Sequence, residues 1–256
     1  HDPVSPGKVG QEHLHAFIEW IHKNKYSSFS HARFLSGLRA FFKYLMIEEV
    51  IEVNPTDLID SPKTGRKLPD TLSQSEIRQL IDVIDRSKPE GERNKAILEV
   101  LYGCGLRVSE LSNLRLSQVK TASRFLRIFG KGRKERIVPF GDACATALSH
   151  YFEGEYKVLL NENSKDCVLL TKSGRRLDRH SIFRIIQNLA GLAGITRTVS
   201  PHTLRHSFAT ELLNGGADLR GVQELLGHSN ITTTEIYTHV DKNRLKESHR
   251  KFHPRG

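Results

Sequence analysis

The segment SPHTLRHSFATELL, residues 200–213, places two imidazoles and a guanidinium in the first turns of one predicted helix. Ser200 is suited to the N-cap and Pro201 to the first helical position, so the helix is expected to begin there. His202 and Arg205, three residues apart, are then expected to share a face near the positive end of the helix. Donors at a helix N-terminus favour an anion, so the pair predicts a phosphate or carboxylate site.

A second guanidinium stands at the opening of another helix, in YGCGLRVSEL, residues 102–111. Arg107 follows directly on a break formed by Gly103 and Gly105. A free helix N-terminus beside a guanidinium again favours a phosphate or carboxylate. An isolated arginine at such a position is more often an ordinary surface residue. A functional role for Arg107 is therefore inferred only together with the other candidate residues.

The segment GKGRKE, residues 130–135, has neither the GxxxxGK[ST] pattern of a phosphate loop nor a GxGxxG that opens a helix, which argues against nucleotide binding. It is instead the turn of a basic hairpin. Between residues 120 and 136 a single acidic residue, Glu135, stands against seven basic ones: Lys120, Arg124, Arg127, Lys131, Arg133, Lys134 and Arg136. The hairpin is either a solvated charged turn or a phosphate-backbone contact whose tip residue, Lys131, reaches into a groove or active site.

The segment LLGHSNITTTEIYTH, residues 225–239, offers an imidazole in a turn and a phenol near the end of the next helix. Gly227 is expected to end one helix, His228 to lie in the turn, and Tyr237 to lie near the end of the helix that follows. Residues 216–239 also have the rhythm of a DNA-binding helix-turn-helix. In that alternative Tyr237 is a packing residue and His228 only a turn residue.

The composition fits a nucleic-acid partner. Lys and Arg number 39 against 29 Asp and Glu, a net charge of +10, although an ordinary basic enzyme is also compatible with it. No apolar run is long enough to cross a bilayer and the N-terminus is unlike a signal peptide, so a cytoplasmic chain without membrane contact is expected. The three cysteines form no CxxC pair and the histidines no HExxH, so neither a metal nor a cofactor is expected.

The elements that would position these residues are mainly helical. Residues 9–47 predict two amphipathic helices whose apolar stripe includes Phe34 and Phe41, and 54–70 is the best candidate for a linker. Ser73 and Glu76 predict a capping box. Strands are expected at 124–130 and 135–140, with a third at 167–171. Further helices are expected near 91–103, 142–153, 178–191, 201–214, 219–226 and 230–238. The fold class is mainly α with a small antiparallel β-sheet.

Taken together, the motifs GLRVSEL, GKGRKERIVP, SPHTLRHSFAT, LLGHSNITTTEIYTHV and the closing HPRG closely resemble the tyrosine recombinases of the phage integrase family. They are most similar to the Xer subgroup, and nearer to its XerD branch than to its XerC branch. The resemblance runs from about residue 28 to the end. It implies a helical core-binding domain that clamps DNA (1–62, incomplete because the family has about four helices there), a linker (63–70) and an α+β catalytic domain (71–256).

The resemblance also implies the chemistry. Arg107 and Arg205 would hold the non-bridging oxygens of a phosphodiester and stabilise the charge that grows in the transition state. Tyr237, whose phenol has an ordinary pKa near 10, would attack phosphorus, and His202 would accept its proton.

The remaining catalytic roles concern the leaving group and the phosphate. Lys131 resembles the family's general acid for the leaving 5′-hydroxyl, and His228 would donate to a phosphate oxygen. The resulting 3′-phosphotyrosyl bond stores the energy of the broken linkage, so no ATP is expected. No metal ion is expected either, because the arginines would do what metal ions do in other phosphoryl-transfer sites.

The expected partner is a duplex recombination site, bound by a homotetramer or by a heterotetramer with a sister recombinase, with a DNA translocase as a further partner. The residues expected to contact DNA are Arg133, Lys134, Arg175, Arg176, Arg179 and His206. The basic C-terminal tail is expected to pack against a neighbouring subunit. The resemblance implies resolution of chromosome dimers at a dif-like site. The alternatives are a mobile-element integrase, a type IB topoisomerase-like enzyme and a non-catalytic DNA-binding regulator.

Overall fold

The structure is a computed structural model that describes residues 4–57, 59–62, 71–130, 135–227 and 239–256, without the side chains of 239–244. The chain divides into two compact units, residues 1–68 and 69–256. The predicted linker, 63–70, lies outside the described residues. No helix in the described ranges is long and apolar enough to span a bilayer.

The N-terminal unit contains the two helices predicted within 9–47. They are α1 (Gln11–Lys23) and α2 (Ser28–Ile47), preceded by a 3₁₀ turn at Pro6–Lys8. Ser27 caps α2, because its Oγ accepts from the Ser30 backbone N–H at 3.2 Å. The two helices and the segment after them bury a small apolar core formed by Leu14, Leu35, Phe42, Leu45 and Ile59.

The apolar stripe predicted for the second of these helices is only partly buried. Phe34 and Phe41 remain 39% and 43% exposed, whereas Phe42 is 2% exposed. Two helices offer too little facing surface to cover every aromatic side chain that the periodicity assigns to one stripe.

The second unit is mainly helical with one small sheet, as predicted. Its elements in chain order are α3 (Gln74–Asp82), α4 (Gly91–Cys104), α5 (Val108–Ser112), β1 (Val119–Lys120), β2 (Phe125–Phe129), β3 (Glu135–Pro139), α6 (Asp142–Glu153), α7 (Glu155–Leu159), α8 (Arg179–Leu192), α9 (Pro201–Asn214), α10 (Leu219–Leu226) and α11 (His239–Phe252). Short 3₁₀ turns lie at Leu116–Gln118 and Glu162–Ser164. The predicted helix 230–238 lies outside the described residues.

The predicted hairpin is confirmed, whereas the predicted third strand is wrong. Strands β1, β2 and β3 form an antiparallel sheet in that order, with Leu126 opposite Val138. Residues 167–171 are not a strand of this sheet. They are a mostly buried segment that makes single bridges, Arg115 with Cys167 and Leu170 with Arg176. An apolar run predicts burial, but it does not show whether the adjacent segment can continue the backbone hydrogen bonds of a sheet.

Local signals fix the starts of the helices that position the site. The Ser73 backbone N–H donates to Glu76 Oε2 at 2.8 Å, which confirms that capping box. Ser200 Oγ accepts from the Thr203 N–H at 3.1 Å, and Pro201 is the first residue of α9. The apolar stripe of this helix, Leu204, Phe208 and Leu212, is at most 1% exposed. Leu204 belongs to the core that α4 helps to form, whereas Phe208 and Leu212 belong to a second cluster with apolar residues of α10 and α11.

The basic C-terminal tail packs against its own unit in the structure of the single chain. His249 and His253 are buried, and the His249 ring contacts the Gly103 carbonyl with an Nε2···O distance of 2.7 Å. Arg255 forms an ion pair of 3.4 Å with Glu99. The tail is therefore a structural part of the unit that holds the candidate site.

Candidate active site

Arg107 lies at the N-cap of α5, directly after the break that ends α4. Gly105 forms this break with a φ of 59°, a backbone conformation that favours glycine. The Arg107 backbone N–H donates to Glu110 Oε2 at 2.8 Å, and its Nη1 donates to Glu110 Oε1 at 2.9 Å. Its Nη2 donates to the Gly227 carbonyl at 3.2 Å, and the side chain is 37% exposed. The guanidinium is thus held by protein and still open to solvent.

Arg205 is buried, unlike His202, so the two do not share an exposed face. Its Nη1 donates to the Gly105 carbonyl at 2.5 Å and its Nη2 to the Leu226 carbonyl at 2.7 Å. His202 is exposed, as is His206 one turn later on the same side of α9. The helix therefore presents the two imidazoles to solvent and inserts the guanidinium between α4 and α10.

A third guanidinium, that of Arg136 on β3, lies with those of Arg107 and Arg205. The sequence alone does not single out this residue. The basic hairpin pattern places Arg136 with solvent-facing residues, yet it is 4% exposed. Its Nη1 and Nη2 donate to Glu110 Oε1 and Oε2 at 2.8 and 2.7 Å, and its Nε donates to the Leu225 carbonyl at 3.1 Å. The signal that could have found it is strand alternation, because Arg136 shares a strand face with buried Val138.

The three guanidiniums converge on the C-terminal end of α10. Arg136, Arg205 and Arg107 donate to three consecutive carbonyls, those of Leu225, Leu226 and Gly227 respectively. The last carbonyls of a helix have no intrahelical donor and carry the negative end of its dipole, so cations are stabilised there. The next residue in the chain is His228, which lies outside the described residues.

The electrostatics of this cluster favour an anion. Burial alone would raise the pKa of Glu110, but the hydrogen bonds and charge of Arg136, followed by those of Arg107, hold that pKa below its ordinary value. Burial, and then the nearby charge of Arg107, lower the pKa of Arg205 to about 10. Three guanidiniums and one carboxylate leave a net positive charge, which a phosphodiester would compensate.

The other predicted contact residues are spread over the surface or lie outside the described residues. Arg175, Arg176 and Arg179 are exposed at and before the start of α8, and Arg176 Nη1 donates to Asn113 Oδ1. The predicted residues that lie outside the described part of the chain are Lys131, Arg133, Lys134, His228 and Tyr237. Within the described ranges, no group of three His, Cys, Asp or Glu side chains is arranged to hold a metal ion.

Comparison with known proteins assigns both parts of the chain to one family. The family model described as "Phage integrase family" matches residues 70–244, and "Phage integrase, N-terminal SAM-like domain" matches residues 5–49. Tyrosine recombinase XerD of Pseudomonas putida is 45% identical over 253 residues, which are 99% of this chain and 85% of that protein. XerD of Staphylococcus aureus is 46% identical over 230 residues, 90% of this chain and 78% of that protein.

A solved structure agrees. XerH site-specific recombinase, bound to palindromic difH substrate in a post-cleavage complex, is similar with a TM-score of 0.74 at 26% identity, covering 95% of this chain and 72% of that one. The resemblance read from the motifs is confirmed. The chain therefore belongs to the phage integrase family, the tyrosine recombinases, and is a site-specific recombinase that binds duplex DNA and cleaves and rejoins its strands.

Proposed function

We propose that Arg107 and Arg205 bind the two non-bridging oxygens of the scissile phosphate. The observation that supports this proposal is that both guanidiniums converge on the end of α10. Arg107 shares the Glu110 carboxylate with Arg136, and Arg205 donates to backbone carbonyls. Burial and, after it, repulsion from Arg107 lower the pKa of Arg205, and an anion between the two guanidiniums would relieve that repulsion. Because the donors are already in place, they stabilise the transition state at little reorganisation cost.

Tyr237 is the proposed nucleophile. Its phenolic oxygen attacks phosphorus, the bond from phosphorus to the 5′-oxygen breaks, and a 3′-phosphotyrosyl bond forms. Residues 69–256 contain three other tyrosines, Tyr102, Tyr151 and Tyr156. Each of these is buried, and burial raises the pKa of each hydroxyl, which makes it a poor nucleophile. Exclusion of the buried tyrosines supports Tyr237 within the catalytic unit.

Two proton transfers accompany this step. His202 accepts the proton of Tyr237, and its exposure on the first turn of α9 supports access to a bound substrate. Lys131 donates a proton to the leaving 5′-oxygen, and His228 donates a hydrogen bond to a phosphate oxygen. A 5′-hydroxyl of another strand can then attack the phosphotyrosyl bond and reverse the step, so each linkage broken is replaced by one formed.

The proposed substrate is a dif-like site on a circular chromosome, where recombination resolves dimers; this role places the enzyme in the cytoplasm. The similarity to XerD and XerH proteins supports this site class. The chain would act as a tetramer, either with copies of itself or with a sister recombinase, and a DNA translocase would assist. Arg133, Lys134, Arg175, Arg176, Arg179 and His206 would contact DNA, the exposure of the last four supporting this role.

The proposed domain boundaries are 1–62 for the core-binding domain, 63–70 for the linker and 71–256 for the catalytic domain. The end of the N-terminal family match at residue 49 and the start of the second match at residue 70 support a linker between them.

The proposal is tested with a nicked suicide duplex that carries a dif-like site. The native chain is expected to form a covalent complex that survives denaturing electrophoresis, and Tyr237→Phe is expected to form none. Absence of a complex with the native chain on any such site would contradict the catalytic proposal. A plasmid with two sites then separates the reactions, because a recombinase yields resolved circles, whereas a topoisomerase yields only relaxed plasmid.

A further inference from the structure

We propose that Arg136 is a positioning residue that neutralises Glu110, so that the charge of Arg107 remains available to the scissile phosphate. This inference rests on the role proposed above for Arg107. It concerns a residue with no direct path to substrate, because its side chain is 4% exposed and bonded on every side to protein.

Both oxygens of the Glu110 carboxylate are shared between the two arginines. Oε1 accepts from Arg136 Nη1 at 2.8 Å and from Arg107 Nη1 at 2.9 Å. Oε2 accepts from Arg136 Nη2 at 2.7 Å and from the Arg107 backbone N–H at 2.8 Å. Arg136 thus makes the bidentate contact that satisfies a carboxylate best, whereas the Arg107 side chain contributes one donor. Arg107 is oriented by Glu110 without being fully paired with it.

The charge balance of the site depends on this sharing. With Arg136 present, the carboxylate of Glu110 is matched by a buried guanidinium, and Arg107 and Arg205 are left as two uncompensated positive charges. Without Arg136, the nearest counter-charge of Glu110 is Arg107 itself. The carboxylate would then compete with the phosphate for the same guanidinium in a poorly solvated site, where such competition is strong.

Arg136 also fixes the end of α10 on which the other two arginines converge. Its Nε donates to the Leu225 carbonyl, and a Cβ added to Gly227 would lie 2.9 Å from Arg136 Cδ. Gly227 has a φ of 67°, so both its backbone conformation and this close approach favour glycine. The Arg136 side chain therefore joins β3 to α5 and to the end of α10. In the chain, β3 follows Lys131, α5 follows Arg107, and the end of α10 precedes His228.

The test is single-turnover cleavage of the suicide duplex on which the native chain forms its covalent complex, at a temperature where circular dichroism shows each variant folded. Arg136→Met is expected to cleave about 10- to 100-fold more slowly, the range seen when a partner that orients a metal ligand is lost. Its affinity for the duplex before cleavage is expected to stay within about twofold, because most DNA affinity comes from backbone contacts elsewhere.

Rescue distinguishes charge compensation from a merely structural role. In Glu110→Gln/Arg136→Met the uncompensated carboxylate is absent, and cleavage is expected to recover about tenfold relative to Arg136→Met. Arg93→Met is the matched control, because Arg93 is also 4% exposed but donates to the Leu170 carbonyl at 2.9 Å, away from the cluster. This control is expected to lose stability and to keep its cleavage rate within about twofold, since no group of the site loses a partner.

Several results would overturn the inference. One is that Arg136→Met cleaves as fast as Arg93→Met. Another is that adding Glu110→Gln to Arg136→Met does not restore cleavage. If Arg136→Met does not fold, Arg136→Lys replaces it; this variant keeps the charge, so a loss of cleavage as large as that of Arg107→Ala would equally overturn the inference. Failure of the proposed function is distinct, because it shows with Arg136 intact, either as absence of a covalent complex with the native chain or as a complex that persists in Tyr237→Phe.

Discussion

Arg107 and Arg205 donate to neighbouring carbonyls at the C-terminal end of α10, those of Gly227 and Leu226, at 3.2 and 2.7 Å. The same Arg205 also donates to the Gly105 carbonyl, two residues before Arg107. These contacts join three separate segments of the chain in one cationic cluster. Its geometry is fixed by backbone atoms, which cannot change rotamer when DNA binds.

The first prediction concerns removal of either arginine. Arg107→Ala and Arg205→Ala are each expected to slow cleavage by about 10²- to 10³-fold, the usual effect of losing one transition-state donor. Single-turnover cleavage of the suicide duplex measures this effect. Since Arg205 is 9% exposed and satisfies two carbonyls, only Arg205→Ala is expected to lower the free energy of unfolding substantially, by about 2 kcal/mol or more. Equal unfolding energies for the two variants would contradict this assignment.

The second prediction concerns Lys131 as general acid. Lys131→Ala is expected to cleave a normal phosphodiester slowly but to recover most of its rate on a duplex with a 5′-bridging phosphorothiolate, because a thiolate leaves without protonation. The measurement is the ratio of the two cleavage rates, with Tyr237→Phe as a control that stays inactive on both. An equal defect on both substrates would mean that Lys131 binds DNA only.

The third prediction concerns the glycine that shapes the site. A Cβ at Gly105 would lie 2.4 Å from Phe208 Cδ1, and the φ of 59° is unfavourable for alanine. Gly105→Ala is therefore expected to lower the free energy of unfolding by about 2 to 5 kcal/mol in urea denaturation.

Gly191→Ala is the control for that variant, because Gly191 lies in α8 and a Cβ there meets nothing within 4 Å. It is expected to raise the free energy of unfolding by about 0.5 to 1 kcal/mol. Similar effects of the two substitutions would contradict the close approach between Gly105 and Phe208.

The fourth prediction concerns acid. His249 and His253 stack in the buried tail with ring centroids 5.2 Å apart. Burial lowers the pKa of both, that of His253 to about 2, where the charge of His249 also contributes. Below pH 6.5 the unfolded chain therefore binds protons that the folded chain does not, so stability present above pH 6.5 is lost as the pH falls. For His253 the loss is roughly 1 kcal/mol per pH unit, and His249 contributes in the same direction.

Urea denaturation between pH 7 and 5 measures this dependence. His253→Phe is expected to flatten it, because this side chain no longer takes up a proton on unfolding. Parallel pH dependences of the native chain and this variant would mean that His253 is not protonated on unfolding.

The sequence predicts those parts of the structure that depend on neighbouring residues. The capping of α3 by Ser73 and Glu76, the start of α9 at Pro201 and the β2–β3 hairpin are all local. Arg136 and Arg205 could not be placed in the same way, since their burial depends on carbonyls 89 and 21 residues away in the chain. A charged side chain is expected to be exposed unless such distant partners are known.

The predicted strand at 167–171 was wrong for a related reason. The segment is mostly buried, but its hydrogen bonds are divided between two neighbours, with Val168 donating to the Leu114 carbonyl and Leu169 accepting from the Leu177 N–H. Hydrophobicity predicts burial correctly, whereas the number of partner residues in register is a property of the whole fold.

Under the proposed mechanism, Tyr237 becomes covalently joined to the 3′ end of the cleaved strand. The most direct test is mass spectrometry of the purified covalent complex after nuclease and trypsin digestion. We expect a nucleotide phosphate on Tyr237 in the tryptic peptide 221–242, and a free 5′-hydroxyl on the released strand. A nucleotide on any other residue, or a 5′-linked adduct, would contradict the proposed role of Tyr237.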